Sequence, residues 1–350
     1  MKIVFFIGSM GHGGAERVIS ILANDYCQQG WEVDVVLLLN NAVEYPLDSR
    51  IRIVDLSPNE GSYVQNALPW LAGIRRYLKK NRPDRVVSFV GRINALVLTA
   101  AMGLKLPVVV SERNDPKHDN RGSAMLWYCN KIYRLAKTIV FQNQYEKSCF
   151  DKALGNKSCV IPNPVGVSAT CEGNDRNIVV TAGRLMKQKN QAMLVRAMAQ
   201  VHQLRPQVKC RIYGEGDLRE SLQAQIQDLG LQDVVTLEGN VKDIHERMAQ
   251  CGIFVLTSNY EGLSNALIEA MMVGLPCVTT DYPGARELIA DRENGLVVPV
   301  DDDTALAKAI LKLLDNEGNY AECIARNGQL HSAKFRAETV LRQWHSVIEG

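Results

Sequence analysis

KIVFFIGSMGHGGAERVISILANDYCQQGWEVDVVLLL, residues 2–39, holds two apolar runs, a glycine-rich turn and one amphipathic segment. KIVFFIG (2–8) shows no polar alternation, as expected of a strand buried on both faces. In AERVISILANDYCQQ, Val18, Ile19, Leu22 and Tyr26 recur at helical spacing, and Gly30 is a natural stop. WEVDVVLLL (31–39) is a second strand. Strand, turn, helix, strand is the unit from which parallel α/β sheets are built.

The unit recurs along the chain. RIVDL (52–56), RVVSF (85–89), PVVVS (107–111), TIVF (138–141) and SCVI (158–161) read as further strands, most of them separated by helical patterns. PNPVG (162–166) and CEGNDR (171–176) interrupt the rhythm. It restarts at NIVVTA (177–182) and continues through VKCRIY (208–213), VVTLEG (234–239), GIFVLT (252–257), PCVTT (276–280) and GLVVPV (295–300). The pattern predicts an α/β chain of two Rossmann-like, doubly wound domains, residues 1–163 and 164–330. The helical remainder, 331–350, is expected to be able to pack back on the first domain. Ligands of such sheets bind beyond the carboxyl ends of the strands, so two of them facing across a cleft would hold a ligand there.

Composition agrees with a globular chain: 46% of 350 residues are apolar and 22% are charged. Residues 1–163 carry 21 Lys and Arg against 14 Asp and Glu; the remainder carries 19 against 24. A basic half points to something anionic as a partner. Nine scattered cysteines, with no C-x-x-C pair, suit a reducing compartment and a core role, as for Cys210 and Cys277 inside strand-like runs. The apolar run at the start is too short for a signal peptide, and the longest apolar region (86–110) is broken by Arg92, Asn94, Lys105 and Pro107. A cytoplasmic protein is expected.

Chemistry concentrates where predicted strands end. In GSMGHGGAER (8–17), Gly13 and Gly14 can bring backbone N–H groups to an anion at a helix start; a tight turn that merely needs glycine is the other reading. The loop fits G-x-G-x-x-G poorly, and Asn40 stands where an adenosine ribose calls for an acid, which disfavours a nicotinamide-dependent oxidoreductase. TAGRLMKQKN (181–190) puts Arg184 and Lys189 just past a strand, a planar fork and a point charge suited to a diphosphate, or a solvated turn. YGEGDLRESL (213–222), with Asp217 as the expected N-cap, and EGNVKDIHERM (238–248) could line a base pocket or be ordinary capped turns.

EGLSNALIEA (261–270) carries Glu261 on a loop and Glu269 about one turn into a helix expected over 265–273, ended by Gly274. Helical side chains lean toward the N-terminus, so Glu269 can reach back to the helix opening. The open N–H groups from Gly262 to Asn265 make an anion site. Two carboxylates beside a phosphate repel it unless each accepts from hydroxyls, and a nucleotide sugar has hydroxyls on both sides of its diphosphate. A surface Glu261 and a backbone-bonded buried Glu269 is the plainer reading, although an unpaired buried carboxylate is costly.

E261-x7-E269 with GLSNALI between resembles the E-x7-E motif of retaining glycosyltransferases of GT-B fold. Together with GGAE (13–16), GRLMKQKN (183–190), YGEGDLR (213–219) and GLPCVTTDYPGARELI (274–289), nearly the whole chain resembles glycosyltransferase family 4, of the bacterial polysaccharide, O-antigen and capsule type. The resemblance implies a UDP-sugar donor whose diphosphate Arg184 and Lys189 bind, and which Gly13, Gly14 and Gly214 approach. It implies contact of Glu261 with the transferred sugar, backbone donors from Gly262, Leu263, Ser264 and Asn265, ribose hydroxyls held by Glu269, and the base near Asn240 and Val241. Glu261, Arg184 and Lys189 are the residues expected to carry catalysis. In SERNDPK (111–117), Arg113 replaces a histidine common in such enzymes; arginine cannot serve as a general base. Arg113 and His12 are candidates for acceptor contact. No metal or cofactor is required by this scheme, since Lys, Arg and a helix dipole can neutralise the leaving group. The DDD run (301–303) is better explained as capping of the following helix.

The acceptor implied is a lipid-linked glycan. GSYVQNALPWLAGIRRYLKKNRPD (61–84) sets Arg75, Arg76, Lys79, Lys80 and Arg82 beside an apolar stripe of Trp70, Leu71, Ile74 and Leu78. That pattern suits either a surface helix packed on a sheet or a peripheral helix on the inner face of the cytoplasmic membrane. A nucleic-acid partner is not expected, because no stacking aromatics interleave the charges. Oligomeric state is not legible. An epimerase or hydrolase acting on donor alone, or a non-catalytic nucleotide-sugar-binding subunit, are the competing functions.

Overall fold

Runs of Val, Ile and Phe with few polar breaks become inner strands, because only a sheet covered on both faces hides every side chain. A computed structural model describes residues 1–11, 13–58, 63–113, 122–150, 152–171 and 173–350. The chain divides into two units, Met1–Pro164 with Ala337–Gly350, and Val165–Arg336.

In the first unit the strands are β1 (Lys2–Ile7), β2 (Glu32–Leu37), β3 (Arg52–Asp55), β4 (Arg85–Phe89), β5 (Val108–Ser111), β6 (Thr138–Phe141) and β7 (Ser158–Val160). They form one parallel sheet in the order β3-β2-β1-β4-β5-β6-β7. Its helices are α1 (Gly14–Gln28), α2 (Tyr63–Asn81), α3 (Gly91–Ala101), α4 (Gly122–Ile132) and α5 (Gln144–Ser148). The two-residue period of β1 sorts its side chains: Val4 and Phe6 join the core under α2, α3 and α4, whereas Ile3, Phe5 and Ile7 join the core under α1.

Asp34 on β2 is fully buried, and no pattern in the sequence marks it. Arg52 grips it with two hydrogen bonds (2.8 and 2.5 Å), Lys2 lies 3.2 Å away, and Tyr77 of α2 donates its hydroxyl to it. Burial pushes this carboxyl up, but the bonds from Arg52, Tyr77 and Lys2 outweigh that and hold it below the usual carboxylate range. A depressed folded value means stability that is present above the unfolded value, about pH 4, and is lost as pH falls through the folded one. Asp34→Asn is therefore expected to cost about 2 kcal/mol at neutral pH and to flatten the acid limb of the stability curve. Denaturant unfolding between pH 3 and 7 checks this; a parallel shift at every pH would count against it.

The second unit repeats the topology. Its strands are β8 (Asp175–Ala182), β9 (Lys209–Tyr213), β10 (Val235–Gly239), β11 (Cys251–Leu256), β12 (Cys277–Thr280) and β13 (Leu296–Val298), paired in parallel in the order β10-β9-β8-β11-β12-β13. Its helices are α6 (Gln191–Leu204), α7 (Arg219–Asp228), α8 (Ile244–Ala249), α9 (Asn265–Val273), α10 (Ala285–Leu288), α11 (Asp303–Asp315) and α12 (Tyr320–Ser332). Chain order reverses between β8 and β11, so the loops leaving those two strands flank the crevice where such sheets take ligands. Helix α9 spans the residues its sequence indicates, and Asp302 caps α11 by accepting from the Ala305 N–H at 2.8 Å. Asp217 is not the cap of α7. The helix starts at Arg219 after Leu218, whose N–H is tied to the Leu185 carbonyl, so Asp217 stays in the turn before it.

The chain enters and leaves this unit along adjacent segments, with the Val165 N–H donating to the Phe335 carbonyl at 2.9 Å. The unit extends to Arg336, six residues beyond the boundary expected at 330, because buried Phe335 belongs to its core. α13 (Ala337–Glu349) is part of the first unit. Trp344 is fully buried and stacks on Phe89 at 5.6 Å, and Arg85 bonds the carbonyls of Ile348 and Glu349 at 2.6 and 2.9 Å. Cys210 and Cys277 lie in the core, where burial pushes both thiols up.

Candidate active site

The loop after β8 and the loop after β11 are laced together by hydrogen bonds to each other's backbone carbonyls. The Asn259 N–H donates to the Gln188 carbonyl (2.8 Å), Gln188 Nε2 to the Tyr260 carbonyl (2.9 Å), and Thr257 Oγ1 to the Lys189 carbonyl (2.9 Å). Neither loop could hold its shape alone, since each supplies the polar partners the other needs. The lacing brings the Lys189 ammonium onto the Glu261 carboxylate, and Ser258 Oγ donates to the same oxygen at 2.9 Å. The Lys189 and Glu261 side chains are 19% and 10% exposed, so this is a sheltered ion pair. An ammonium has three donors; one is committed to Glu261, leaving capacity for a second anion.

Arg184 differs. Its backbone carbonyl is pinned by Gln191 Nε2 at 2.9 Å, but its side chain is exposed and makes no ion pair among the described residues. A guanidinium without a carboxylate is an available fork for phosphate oxygens.

Glycines allow the close packing beneath these loops. Gly214, after β9, has φ +133°, and a Cβ there would lie 2.1 Å from the Gly183 carbonyl oxygen. Its N–H donates to the Gly239 carbonyl, which draws the turns after β8, β9 and β10 together. Gly284 approaches Gly262 in the same way, with a Cβ position 2.2 Å from the Gly262 oxygen. The segment before α10 thus buttresses the loop that carries Glu261.

At the opening of α9, Ser264 is the N-cap residue but makes no side-chain capping bond; its hydroxyl is buried without a partner. Leu263 is buried in the core and anchors the turn. Glu269 is buried inside the helix, with His245 Nε2 of α8 3.7 Å from its carboxylate. Asn240 is exposed on the loop after β10, and Val241 packs partly against the core under α8 and α9.

In the first unit, Gly13 precedes α1 with extended backbone (φ −99°), so a left-handed turn is not what places glycine there. Gly14 opens the helix; His12 lies outside the described residues. Arg113 is enclosed rather than presented. Its guanidinium bonds Ser111 Oγ (2.7 Å), the Ile161 carbonyl (3.2 Å) and Asn163 Oδ1 (2.8 Å), and lies over Phe89 and Trp344. Burial lowers its pKa to about 10, so it remains charged at neutral pH, and one terminal nitrogen has no partner. In this arrangement it braces β5, the segment after β7 and α13. The expected membrane stripe is also turned inward: Trp70, Ile74 and Leu78 are buried in the core, because α2 has a sheet to pack on. Arg75 bonds the carbonyls of Ala100 and Met102 (2.8 and 2.9 Å), whereas Arg76, Lys79, Lys80 and Arg82 are exposed.

Several contributors carry little sequence signal. Ser258 lies three residues before Glu261 in an ordinary strand end, and Gly284 is one glycine among 26. His245 sits in the loop and helix 238–248 suspected of lining a base pocket, but its pairing with Glu269 is tertiary. Among the described residues no three His, Cys, Asp or Glu side chains are grouped to hold a metal ion, and no helix is long and apolar enough to cross a membrane.

Two all-parallel doubly wound sheets, the second with a Lys–Glu pair and a helix opening at its switch point, are the arrangement of the GT-B fold. Comparison with known proteins gives the family. Residues 12–168 match the model of Glycosyltransferase Family 4, and residues 170–331 that of Glycosyl transferases group 1. The chain is 30% identical to the N-acetylgalactosamine-N,N'-diacetylbacillosaminyl-diphospho-undecaprenol 4-alpha-N-acetylgalactosaminyltransferase of Campylobacter jejuni, over 96% of this chain and 95% of that protein. It is 24% identical to the amylovoran biosynthesis glycosyltransferase AmsD of Erwinia amylovora, over 99% of each. The fold matches that of Anabaena Alr3699/HepE, crystallised with UDP, at a TM-score of 0.84 and 23% identity over 99% of each chain. The chain belongs to glycosyltransferase family 4 and is a glycosyltransferase.

Proposed function

We propose that this enzyme moves a hexose or N-acetylhexosamine from a UDP-sugar, with retention of anomeric configuration, to a hydroxyl of a polyprenyl-diphosphate-linked glycan in bacterial surface polysaccharide synthesis. The observation that carries this reading is the Lys189–Glu261 pair beside the uncapped opening of α9. A diphosphate at that opening meets backbone N–H groups from Gly262 to Asn265, the free donors of Lys189 and the unpaired Arg184 fork. Glu261 accepts from hydroxyls of the transferred sugar, Glu269 from the ribose, and Asn240 and Val241 border the base. The C1–O bond to the diphosphate breaks as the acceptor oxygen bonds C1 on the same face. The acceptor proton passes to the departing phosphate oxygen, so UDP leaves and no side-chain base is needed. Arg184, Lys189 and the α9 dipole supply the positive charge the leaving group requires, without a metal. Gly13 and Gly14, at the start of α1, offer backbone N–H groups to the donor, and His12 is the acceptor-side candidate; Arg113, enclosed by Asn163 and Trp344, braces its loop rather than reaching the acceptor.

The relatives support the acceptor class, since the first of them bears a diphospho-undecaprenol substrate in its name. The test is incubation of the purified chain with a panel of UDP- and GDP-sugars and a polyprenyl-diphosphate glycan, with and without chelator, followed by mass and anomeric analysis. Transfer only from GDP-sugars, an inverted product, or release of sugar without acceptor would each overturn the corresponding part.

Peripheral docking on the inner face of the cytoplasmic membrane belongs to the same reading. With the apolar stripe inside the core, the docking surface is the exposed cations Arg76, Lys79, Lys80 and Arg82, joined by Leu68 (76% exposed) on α2 and Trp127 (62%) on α4, helices that cover one sheet face. Lys79→Glu with Lys80→Glu is expected to weaken binding to vesicles of one-third anionic lipid, read by sedimentation, at least about thirtyfold, at roughly 1 kcal/mol per lost cation. Unchanged sedimentation would remove this surface.

A further inference from the structure

His245 is held at one ring nitrogen and aimed with the other. The Ser168 backbone N–H lies 3.3 Å from Nδ1, and a backbone N–H can only donate, so Nδ1 accepts. The Ser168 hydroxyl lies 3.2 Å from the same nitrogen, but its proton goes to Glu246 at 2.8 Å. Neutral imidazole therefore carries its proton on Nε2. That nitrogen is buried without a hydrogen-bond partner, and 3.7 Å from it lies the Glu269 carboxylate, within ion-pair range but beyond hydrogen-bond length. A buried donor and a buried carboxylate face each other across less than 1 Å of surplus separation. The packing of α8 on α9 produces this, and Ser168 lies just inside the point where the chain enters this unit.

We propose that His245 is a positioning residue for Glu269: locked as the Nε2–H tautomer by the Ser168 amide, it helps orient the carboxylate that grips the ribose of the nucleotide. The inference rests on Glu269 as the ribose-holding acid. Ribose hydroxyls donating to one carboxylate oxygen leave the other to accept from Nε2–H, which closes the short gap and satisfies the buried Nε2 donor. A carboxylate oriented in this way is pre-organised for a diol.

The test compares UDP with 2′,3′-dideoxy-UDP by calorimetry on the full chain. His245→Ala is expected to weaken UDP about tenfold while changing the dideoxy analogue less than twofold. His245→Gln, whose amide can place a donor near the Nε2 position, should restore most of the preference. Should His245→Ala not fold, His245→Phe keeps the ring volume and removes both nitrogens, with the same expectation. Equal weakening of both ligands would show a structural role only and overturn the proposal, as would an unchanged preference. Glu269→Ala separates the two levels: if it retains the preference for UDP, the ribose reading itself fails. If it loses the preference while His245→Ala keeps it, only the positioning role fails.

Discussion

Glu261→Gln is expected to lower kcat/KM for transfer about a thousandfold, with the thermal midpoint and UDP affinity little changed. The carboxylate is sheltered, bonded by Lys189 and Ser258, and close enough to the fully buried Tyr282 phenol to help raise its pKa, after burial itself. Glutamine preserves size and an accepting oxygen, so the loops laced through residues 187–190 and 257–260 have no steric cause to move. What disappears is the negative charge. In the proposed reaction that charge does two things: it fixes the sugar through its hydroxyls, and it favours the positive character that develops at C1 as the diphosphate leaves. Both matter most in the transition state, so the loss falls on kcat rather than on donor binding. Lys189, released from its partner, becomes a fuller cation toward the diphosphate, which compensates UDP affinity. Steady-state kinetics with calorimetry separate these effects. Transfer retained above a tenth of the original rate would remove Glu261 from the reaction.

Gly214→Ala is expected to destabilise the second unit by about 4 kcal/mol, a fall in its melting temperature of about 10 °C for a unit of this size. Two penalties combine. Alanine is strained at φ +133°, and its methyl carbon would stand 2.1 Å from the Gly183 carbonyl oxygen, which is backbone and cannot rotate away. Relief requires the turn after β9 to separate from the turn after β8. Because the β8 turn leads directly to Arg184 and Lys189, donor binding should weaken at temperatures where the protein is still folded. Gly230→Ala is the control: Gly230 also has positive φ, +66°, but no atom lies within 4 Å of its Cβ position, so only the conformational cost of about 1 kcal/mol applies. Differential scanning calorimetry of both variants measures the difference. Equal shifts would mean that the turns are not packed as described.

Much of this architecture is legible in one dimension. The uninterrupted apolar run of β1 is what two-sided burial requires, and the spacing of Val18, Ile19, Leu22 and Tyr26 puts one face of α1 against the sheet. The limits of α9 follow from local chemistry, a loop ending at Ser264 and a glycine after Val273. The E-x7-E pattern with its accompanying loops points to the family. These features arise between residues a few positions apart, where backbone geometry alone dictates which side chains share a face.

The rest depends on partners far apart in the chain. Helix α2 has the same stripe whether it faces a lipid or a sheet, and only the presence of β1, β2 and β4 beneath it turned Trp70, Ile74 and Leu78 inward. Arg113 looks like a ligand contact in its loop, yet Asn163 and the α13 residue Trp344, brought beside it by the fold, enclose it. Lys189 and Glu261 are 72 residues apart, and their pairing follows from β8 and β11 being neighbours in the sheet. Residue order settled which faces are apolar and, for α9 and α11, where a helix begins, because those are short-range properties of backbone and side-chain period. Which charges meet, and which apolar faces are covered, was settled by strand order, because the energy of an ion pair or a buried stripe depends on what the folded chain places against it.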